Sequence, residues 1–135
     1  MPDQPAERHV VDASGLVEVL IGSALGAAMR ARMRGCELHA PAHLDAEVLS
    51  TLGRLHRAGE VPADAVEAAL RELRSAPIVR HHLTDLLDGA WGARDRLRLV
   101  DALYLELART LDAAVLSTDA RLARASMTVE LVTVS

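Results

Sequence analysis

Short apolar runs alternate with longer amphipathic segments along this chain. Runs rich in β-branched residues and bounded by turn-forming residues predict strands over 9–14, 36–41, 77–83, 113–119 and 129–135. Between these runs, apolar residues recur at helical spacing, as at Leu44, Val48, Leu52 and Leu55. Strands that alternate with helices are typical of a parallel sheet with helices on both faces. We therefore expect an α/β fold of three layers, α/β/α, around a mostly parallel five-stranded sheet.

Turn and capping residues set the expected helix boundaries. The apolar segment 15–34 breaks near Gly22, where Ser23 is expected to cap a second helix, and Thr84 is expected to cap the segment 85–96. The remaining helices are predicted over 43–59, 62–76, 97–111 and 119–125. No internal repeat or linker interrupts this order. Residues 8–135 are therefore expected to form one domain after a polar tail of residues 1–7.

Acidic residues lie at or just past several predicted strand ends. Asp12 and Asp119 end the first and fourth strands, Glu47 lies one turn into a helix, and Asp101 lies near the start of another. The carboxyl ends of parallel strands share one edge of the sheet, so we expect these acids to converge there. Taken singly, Asp12, Asp101 and Asp119 are equally well explained as caps or turn residues, and a solvated acid is the default interpretation of Glu47. Glu47 and Asp45 border one apolar stripe from opposite sides, and the helical pattern does not choose between them.

A group of converging carboxylates needs a cation. Asp101 projects on the apolar side of its helix with Tyr104 and Ala108, where an unpaired charge costs several kcal/mol. Either a metal ion or an arginine satisfies it. Neighbouring carboxylates also raise one another's pKa, and Mg²⁺ or Mn²⁺ relieves that repulsion. Such a cation activates water for phosphodiester cleavage.

The composition excludes several classes of chemistry. The 135-residue chain contains no lysine, which excludes a P-loop phosphate site, Schiff-base catalysis and a receiver-type phosphorylation site. Its single cysteine, Cys36, argues against a structural zinc site and suits a reducing cytoplasm. No apolar run is long enough to cross a membrane, and the first residues lack a signal-peptide pattern. The net charge of −4 neither indicates nor excludes a nucleic-acid partner.

Four sequence fragments carry a family resemblance. In their order and spacing, VVDASGLVEVL, DAEVLSTLGRL, DALYLELARTL and AAVLSTDARLARA resemble the PIN-domain ribonucleases, most closely the VapC-type toxins of bacterial toxin–antitoxin pairs. The resemblance extends from about His9 to Val134. It implies a PIN-like fold and endonucleolytic cleavage of RNA that depends on Mg²⁺ or Mn²⁺.

The resemblance also assigns roles to individual residues. The acidic positions of the family, which are catalytic and hold the metal, fall on Asp12, Glu47, Asp101 and Asp119. This match favours Glu47 over Asp45. The small hydroxyl residues near the family's site correspond to Ser14 and Thr118, which we expect to hydrogen-bond the acids or the metal's waters.

Arginines near the acids depart from the family pattern. Relatives often carry asparagine and then serine or threonine just before the third acid, where this chain has Arg96 and Arg98. A guanidinium there either binds an RNA phosphate or pairs with the acids and competes with the metal. Arg121 and Arg124 directly follow Asp119 and are further RNA-binding candidates, although arginine clusters are commonly solvated surfaces.

The resemblance implies protein partners as well. VapC-type toxins are generally homodimers, and a cognate antitoxin holds them inactive. Helices within 15–34 and 63–75 are candidates for such interfaces, because an apolar groove can receive a partner helix. The alternative is a PIN-like module without catalysis that acts through a protein partner.

Overall fold

A parallel sheet of five strands lies at the centre of the computed structural model, which describes residues 5–134. Part of the predicted polar tail, residues 1–4, and the last residue of the predicted fifth strand, Ser135, lie outside the described residues. The strands are β1 (Arg8–Val11), β2 (Glu37–Pro41), β3 (Ile78–His81), β4 (Ala114–Ser117) and β5 (Val129–Leu131).

The strand order places the first strand at the middle of the sheet. The order is β3-β2-β1-β4-β5, and every pair is parallel. In the register, Val10 lies between His39 of β2 and Val115 of β4. The order in which successive strands are added therefore reverses at β1, and ligand sites of open α/β sheets form at such a reversal.

Within residues 5–134, seven α-helices accompany the sheet. They are α1 (Ala13–Ile21), α2 (Ala24–Met33), α3 (Leu44–Arg57), α4 (Ala63–Ser75), α5 (Leu87–Gly92), α6 (Leu99–Leu111) and α7 (Ala120–Ala125). Helix α1 packs against α2, α3 and α4, and α3 also packs against α4. Helix α5 packs against α6, which also contacts β1, β2 and β4. The predicted three-layer α/β/α fold is confirmed.

Capping residues explain where several of these helices begin. Ser23 caps α2 as predicted, because its hydroxyl accepts the Gly26 N–H at 2.9 Å. Asp12 caps α1 directly, so β1 ends at Val11 and the predicted strand over 9–14 is too long. The expectation that Thr84 caps a helix is wrong. Thr84 instead begins a short 3₁₀ turn and makes no capping hydrogen bond.

The helix that carries the third acid begins later than predicted. It starts at Leu99 rather than Leu97, and the preceding helix ends at Gly92 rather than Arg96. Residues 93–98 form turns between the two helices. Consequently Arg96 and Arg98 lie in a connecting segment just before Asp101, not on a regular helix face.

The apolar core lies on both faces of the two central strands. Val10, Val11, Val115 and Leu116 are fully buried. Among residues 5–134, no single helix has the length and apolar character needed to span a membrane; α1 and α2 meet that requirement only together, and they are bent by 114°.

Replacing Gly26 by alanine tests the close packing of α1 against α2. A Cβ atom at position 26 would overlap the backbone carbonyl of Glu18, so the helices must move apart. We expect the free energy of unfolding to fall by about 1–3 kcal/mol, as in overpacked cores, measured by urea denaturation.

Gly53→Ala is the matched control, because it is the same substitution in a helix with space for a methyl group. The nearest atom to a Cβ there is a side-chain nitrogen of Arg57 at 3.4 Å. We expect this variant to gain up to about 1 kcal/mol from helix propensity. Equal changes in the two variants would contradict the packing described for Gly26.

Candidate active site

Asp12 occupies the junction between the central strand β1 and helix α1. It accepts the Gly15 N–H at 3.0 Å, the Ser14 hydroxyl at 3.0 and 3.1 Å, and the Ser117 hydroxyl at 2.5 Å. The Thr118 hydroxyl donates to the Ser14 hydroxyl at 3.4 Å and extends this hydrogen-bond network. Asp12 is 5% exposed, and burial raises its pKa from 3.8 to about 6. The hydrogen bonds therefore offset only part of the cost of burying its charge.

Ser117 belongs to the site but was not predicted from the sequence. It ends β4 and is fully buried. The register pairs Leu116 with Val11, so the next residues along each strand, Ser117 and Asp12, are neighbours. The Ser117 hydroxyl also accepts the Asp119 N–H at 2.9 Å. A hydroxyl residue at the end of an otherwise apolar central strand was the available signal.

Asp101 and Asp119 line one surface cleft of about 170 Å³. Asp101 lies in the first turn of α6, and its side chain is 30% exposed. Asp119 follows β4 and caps α7 by accepting the Arg121 N–H at 2.9 Å. Burial raises the pKa of Asp101, and the charges of Glu47 and Asp119 raise it further, while Arg98 and Arg121 oppose them. The pKa of Asp101 therefore depends on the charges of both Glu47 and Asp119.

Three arginines line the same cleft: Arg96, Arg98 and Arg121. Arg98 Nε lies 3.7 Å from Asp101, and Arg121 Nε lies 3.5 Å from Asp119. Both distances exceed the roughly 2.7–2.9 Å of a direct charge-assisted hydrogen bond. Arg124 is exposed on α7, outside the lining of this cleft. The cleft arginines therefore reduce the repulsion between acids without being locked onto them.

Glu47 is fixed by residues that were not predicted to serve the site. The Tyr104 hydroxyl donates to Glu47 at 2.7 Å, and His43 Nε2 lies 3.3 Å from the same oxygen. The rings of His43 and Tyr104 pack with their centroids 4.8 Å apart. The Asp45 carboxylate instead accepts a hydrogen bond from the Arg80 guanidinium at 2.9 Å. Glu47 and Asp45, between which the helical pattern did not choose, thus have different partners. Of these two acids, only Glu47 has a charge that affects the pKa of Asp101.

The four acids form one electrostatic group at the carboxyl edge of the sheet. The charge of Asp119 raises the pKa of both Asp12 and Asp101, and that of Glu47 also raises the pKa of Asp101. They are not a preformed ligand cage. Across residues 5–134, one group of three His, Cys, Asp or Glu side chains has a ligand atom from each member within 4.8 Å of the other two. That group is Glu7, His9 and Cys36, and it includes none of the four acids.

Comparison with known proteins identifies the family. The family model of the PIN domain matches residues 9–126. Ribonuclease VapC3 of Mycobacterium tuberculosis is 54% identical over 125 residues, which cover 92% of this chain and 91% of that protein. The chain belongs to the VapC-type PIN-domain ribonucleases.

Further relatives of this VapC-type protein agree with that assignment. Ribonuclease VapC1 of Mycobacterium tuberculosis is 36% identical over 118 residues, covering 86% of this chain and 89% of that protein. Among solved structures, VapC20 of the same species, described as a toxin that cleaves the sarcin–ricin loop, has a TM-score of 0.65 at 22% identity. That match covers 87% of this chain and 94% of VapC20, and it shows a shared fold.

Asp12→Asn tests the cost of burying the Asp12 carboxylate in this VapC-type protein. A carboxyl group whose pKa rises from 3.8 to about 6 on folding binds its proton more tightly in the folded protein. Its protonation therefore stabilises the fold fully below pH 3.8, and this stabilisation is lost as the pH rises through 6. Asparagine does not titrate. Between pH 4.5 and 7.5 without divalent cations, wild type should therefore lose about 2 kcal/mol relative to the variant.

Denaturant unfolding of both proteins at the two pH values measures this difference. The comparison cancels the titration of every other group that the two proteins share. A gap between wild type and Asp12→Asn that stays constant with pH would contradict the raised pKa.

Proposed function

We propose that this VapC-type protein is a Mg²⁺- or Mn²⁺-dependent endoribonuclease and the toxin of a toxin–antitoxin pair. Family membership supports the ribonuclease activity. The observation that carries the metal dependence is the buried carboxylate of Asp12, which shares one edge of the sheet with three further acids. The proposed catalytic group is Asp12, Glu47, Asp101 and Asp119.

The donor set fits a hard divalent cation. Mg²⁺ and Mn²⁺ prefer carboxylate oxygens and usually retain several waters, so widely spaced acids suit them. Asp12 and Asp101 are the proposed principal ligands, because burial raises the pKa of each and a cation would reverse that cost. Glu47 and Asp119 complete the group. The chemistry supplied by such a cation is activation of water and stabilisation of charge on the phosphate.

Neighbouring residues orient the acids. Ser14 and Ser117 hold both oxygens of Asp12, which fixes the direction of its remaining lone pairs. The Tyr104 hydroxyl holds one oxygen of Glu47 at 2.7 Å. Donors of this kind tune a metal site by restricting its ligands, and their loss commonly costs about 10–100-fold in metal affinity or activity.

The cleft arginines are the proposed contacts to RNA phosphates. Arg98 and Arg121 have side chains that are 66% and 77% exposed, and they lie beside the acids at the mouth of the cleft. Their long contacts to Asp101 and Asp119 leave guanidinium donors free for a phosphate. Arg96 lines the same cleft, and Arg124 lies next to it on α7. Phosphate contacts of this type dominate affinity for nucleic acids.

Two apolar surfaces support the proposed protein partners, a second copy of the chain and a cognate antitoxin in the cytoplasm. Leu87, Trp91 and Leu99 are 52%, 58% and 44% exposed and line a cavity of about 350 Å³ on α5 and α6. A second groove between α1, α2 and α4 is lined by Leu16, Met33 and other apolar residues. The exposed apolar residues on α5 and α6 are of the kind that marks an interaction surface.

Asp101→Asn tests the proposed catalysis. Loss of a principal ligand should reduce the rate of RNA cleavage by roughly 100-fold or more, because several kcal/mol of charge stabilisation disappear. The measurement is cleavage of cellular RNA with Mg²⁺, with Mn²⁺ and with EDTA. Asp112→Asn is the matched control: Asp112 ends the same helix with φ of 51°, a conformation that asparagine adopts readily, and it should keep the wild-type rate.

Cleavage that survives EDTA, or full activity in Asp101→Asn, would defeat the proposal. If wild type shows no cation-dependent cleavage and no Mn²⁺ binding that depends on Asp12 and Asp101, the alternative gains support: a module without catalysis that acts through a protein partner, with Arg98 and Arg121 neutralising the acids.

Arg121→Ala tests the RNA contact. Binding is measured in the cleavage-deficient Asp101→Asn protein as a function of salt concentration. Removing one phosphate contact should reduce the magnitude of the salt slope by about 0.7 for single-stranded RNA. Arg74→Ala is the control, since Arg74 is exposed near the end of α4, which leads to the opposite edge of the sheet. Equal slopes in the two variants would exclude Arg121 from the interface.

A further inference from the structure

His43 lies between the two helices that carry Glu47 and Asp101. It immediately precedes α3, and the Glu47 N–H donates to the His43 carbonyl at 3.0 Å in the first turn of that helix. Residues four apart on a helix share one face, so the His43 ring lies beside the Glu47 carboxylate. The same ring also reaches Val100 of α6, the residue before Asp101. His43 therefore contacts both helices.

The imidazole makes its polar contacts to the two helices through one atom, Nε2. This nitrogen lies 2.9 Å from the Val100 carbonyl oxygen and 3.3 Å from Glu47 Oε1. A carbonyl oxygen only accepts, so Nε2 carries the hydrogen and donates it to Val100. Within residues 5–134, Nδ1 of His43 is buried without a hydrogen-bond partner. Nε2 is therefore the polar atom that fixes the direction of the ring.

Tyr104 supports the same arrangement from α6. Its hydroxyl donates to Glu47 Oε1 at 2.7 Å, and its ring packs against that of His43 with the centroids 4.8 Å apart. Tyr104 is 2% exposed and the His43 side chain 12%, so packing restricts both rings. Because both polar contacts are made to Oε1 of Glu47, Oε2 remains for a cation.

The first turn of α6 lies at the surface and carries Asp101. Leu99 and Val100 are 44% and 38% exposed, and the preceding residues 93–98 form turns. A segment with so little apolar burial is held only weakly by packing. The hydrogen bond from His43 ties this turn to α3 one residue before Asp101.

We propose that His43 is a positioning residue of the metal site, which sets the spacing between the Glu47 and Asp101 carboxylates. Its Nε2–H donates to the backbone beside Asp101 while it lies against Glu47. This role rests on the proposed metal dependence. Mg²⁺ demands near-ideal octahedral geometry, so a change in the spacing of its ligands lowers its affinity. His43 itself touches neither the cation nor the RNA.

Substitutions of His43 separate its N–H donor from its ring. His43→Phe keeps a ring against Tyr104 but removes the donor, whereas His43→Gln offers an amide N–H as many bonds from Cα as Nε2. Calorimetric titration with Mn²⁺, without RNA, measures the metal affinity. We expect His43→Phe to weaken Mn²⁺ binding by roughly 10–100-fold, and His43→Gln to restore most of that loss. His43→Leu is a second variant without the donor, smaller than Phe, and should resemble His43→Phe.

His56→Phe is the matched control. His56 lies in the last turn of the same helix, and its Nδ1 lies 3.0 Å from the Val61 carbonyl oxygen. The substitution therefore removes a similar histidine–carbonyl contact away from the acids, and it should keep the wild-type Mn²⁺ affinity. RNA binding without divalent cations should be unchanged in every variant. Thermal unfolding shows which variants are folded at the temperature of the titration, since a purely structural role would lower the Tm without changing the Mn²⁺ affinity of folded protein.

Three results would overturn the positioning role: wild-type Mn²⁺ affinity in folded His43→Phe or His43→Leu, equal losses in His43→Phe and His43→Gln, or an equal loss in His56→Phe. A wild-type protein that binds no Mn²⁺ through Asp12 and Asp101 is a different result. It would refute the proposed metal dependence itself, and the role of His43 with it.

Discussion

The carboxylate of Asp12 is buried between the ends of the two central strands, and the arrangement of the site follows from that burial. It caps α1, accepts hydrogen bonds from both flanking serines, and shares Ser117 with the backbone of Asp119. These bonds fix the geometry where β1, β4 and α1 meet. They do not remove the cost of the charge, since the pKa of Asp12 still rises to about 6. A cation that offsets this cost would turn an unfavourable burial into a binding site.

The two edges of the sheet present different chemistry. The carboxyl edge gathers oxygen ligands with exposed arginines around them, which suits a hard cation and a phosphate-rich substrate. The amino edge gathers Glu7, His9 and Cys36 around the guanidinium of Arg32. Arginine serves both edges in a chain without lysine. At the carboxyl edge Arg98 and Arg121 stay solvated, whereas at the amino edge Arg32 is tied to Glu130.

The sequence was sufficient for the layers of the fold and for the edge at which the acids lie, because both follow from strand–helix alternation. It was not sufficient for contacts that depend on register. Ser117 meets Asp12 only because β4 pairs with β1, and Tyr104 meets Glu47 across two helices. Thr84 failed as a cap because a 3₁₀ turn replaced the expected helix start.

A crystal of the protein soaked in Mn²⁺ gives the most direct test of the acidic cleft. The anomalous difference map locates the cation independently of any activity. The proposal predicts a peak bound by the carboxylates of Asp12 and Asp101, with Glu47 and Asp119 within reach of its waters. A map with no peak beside these four carboxylates at saturating Mn²⁺ would contradict it.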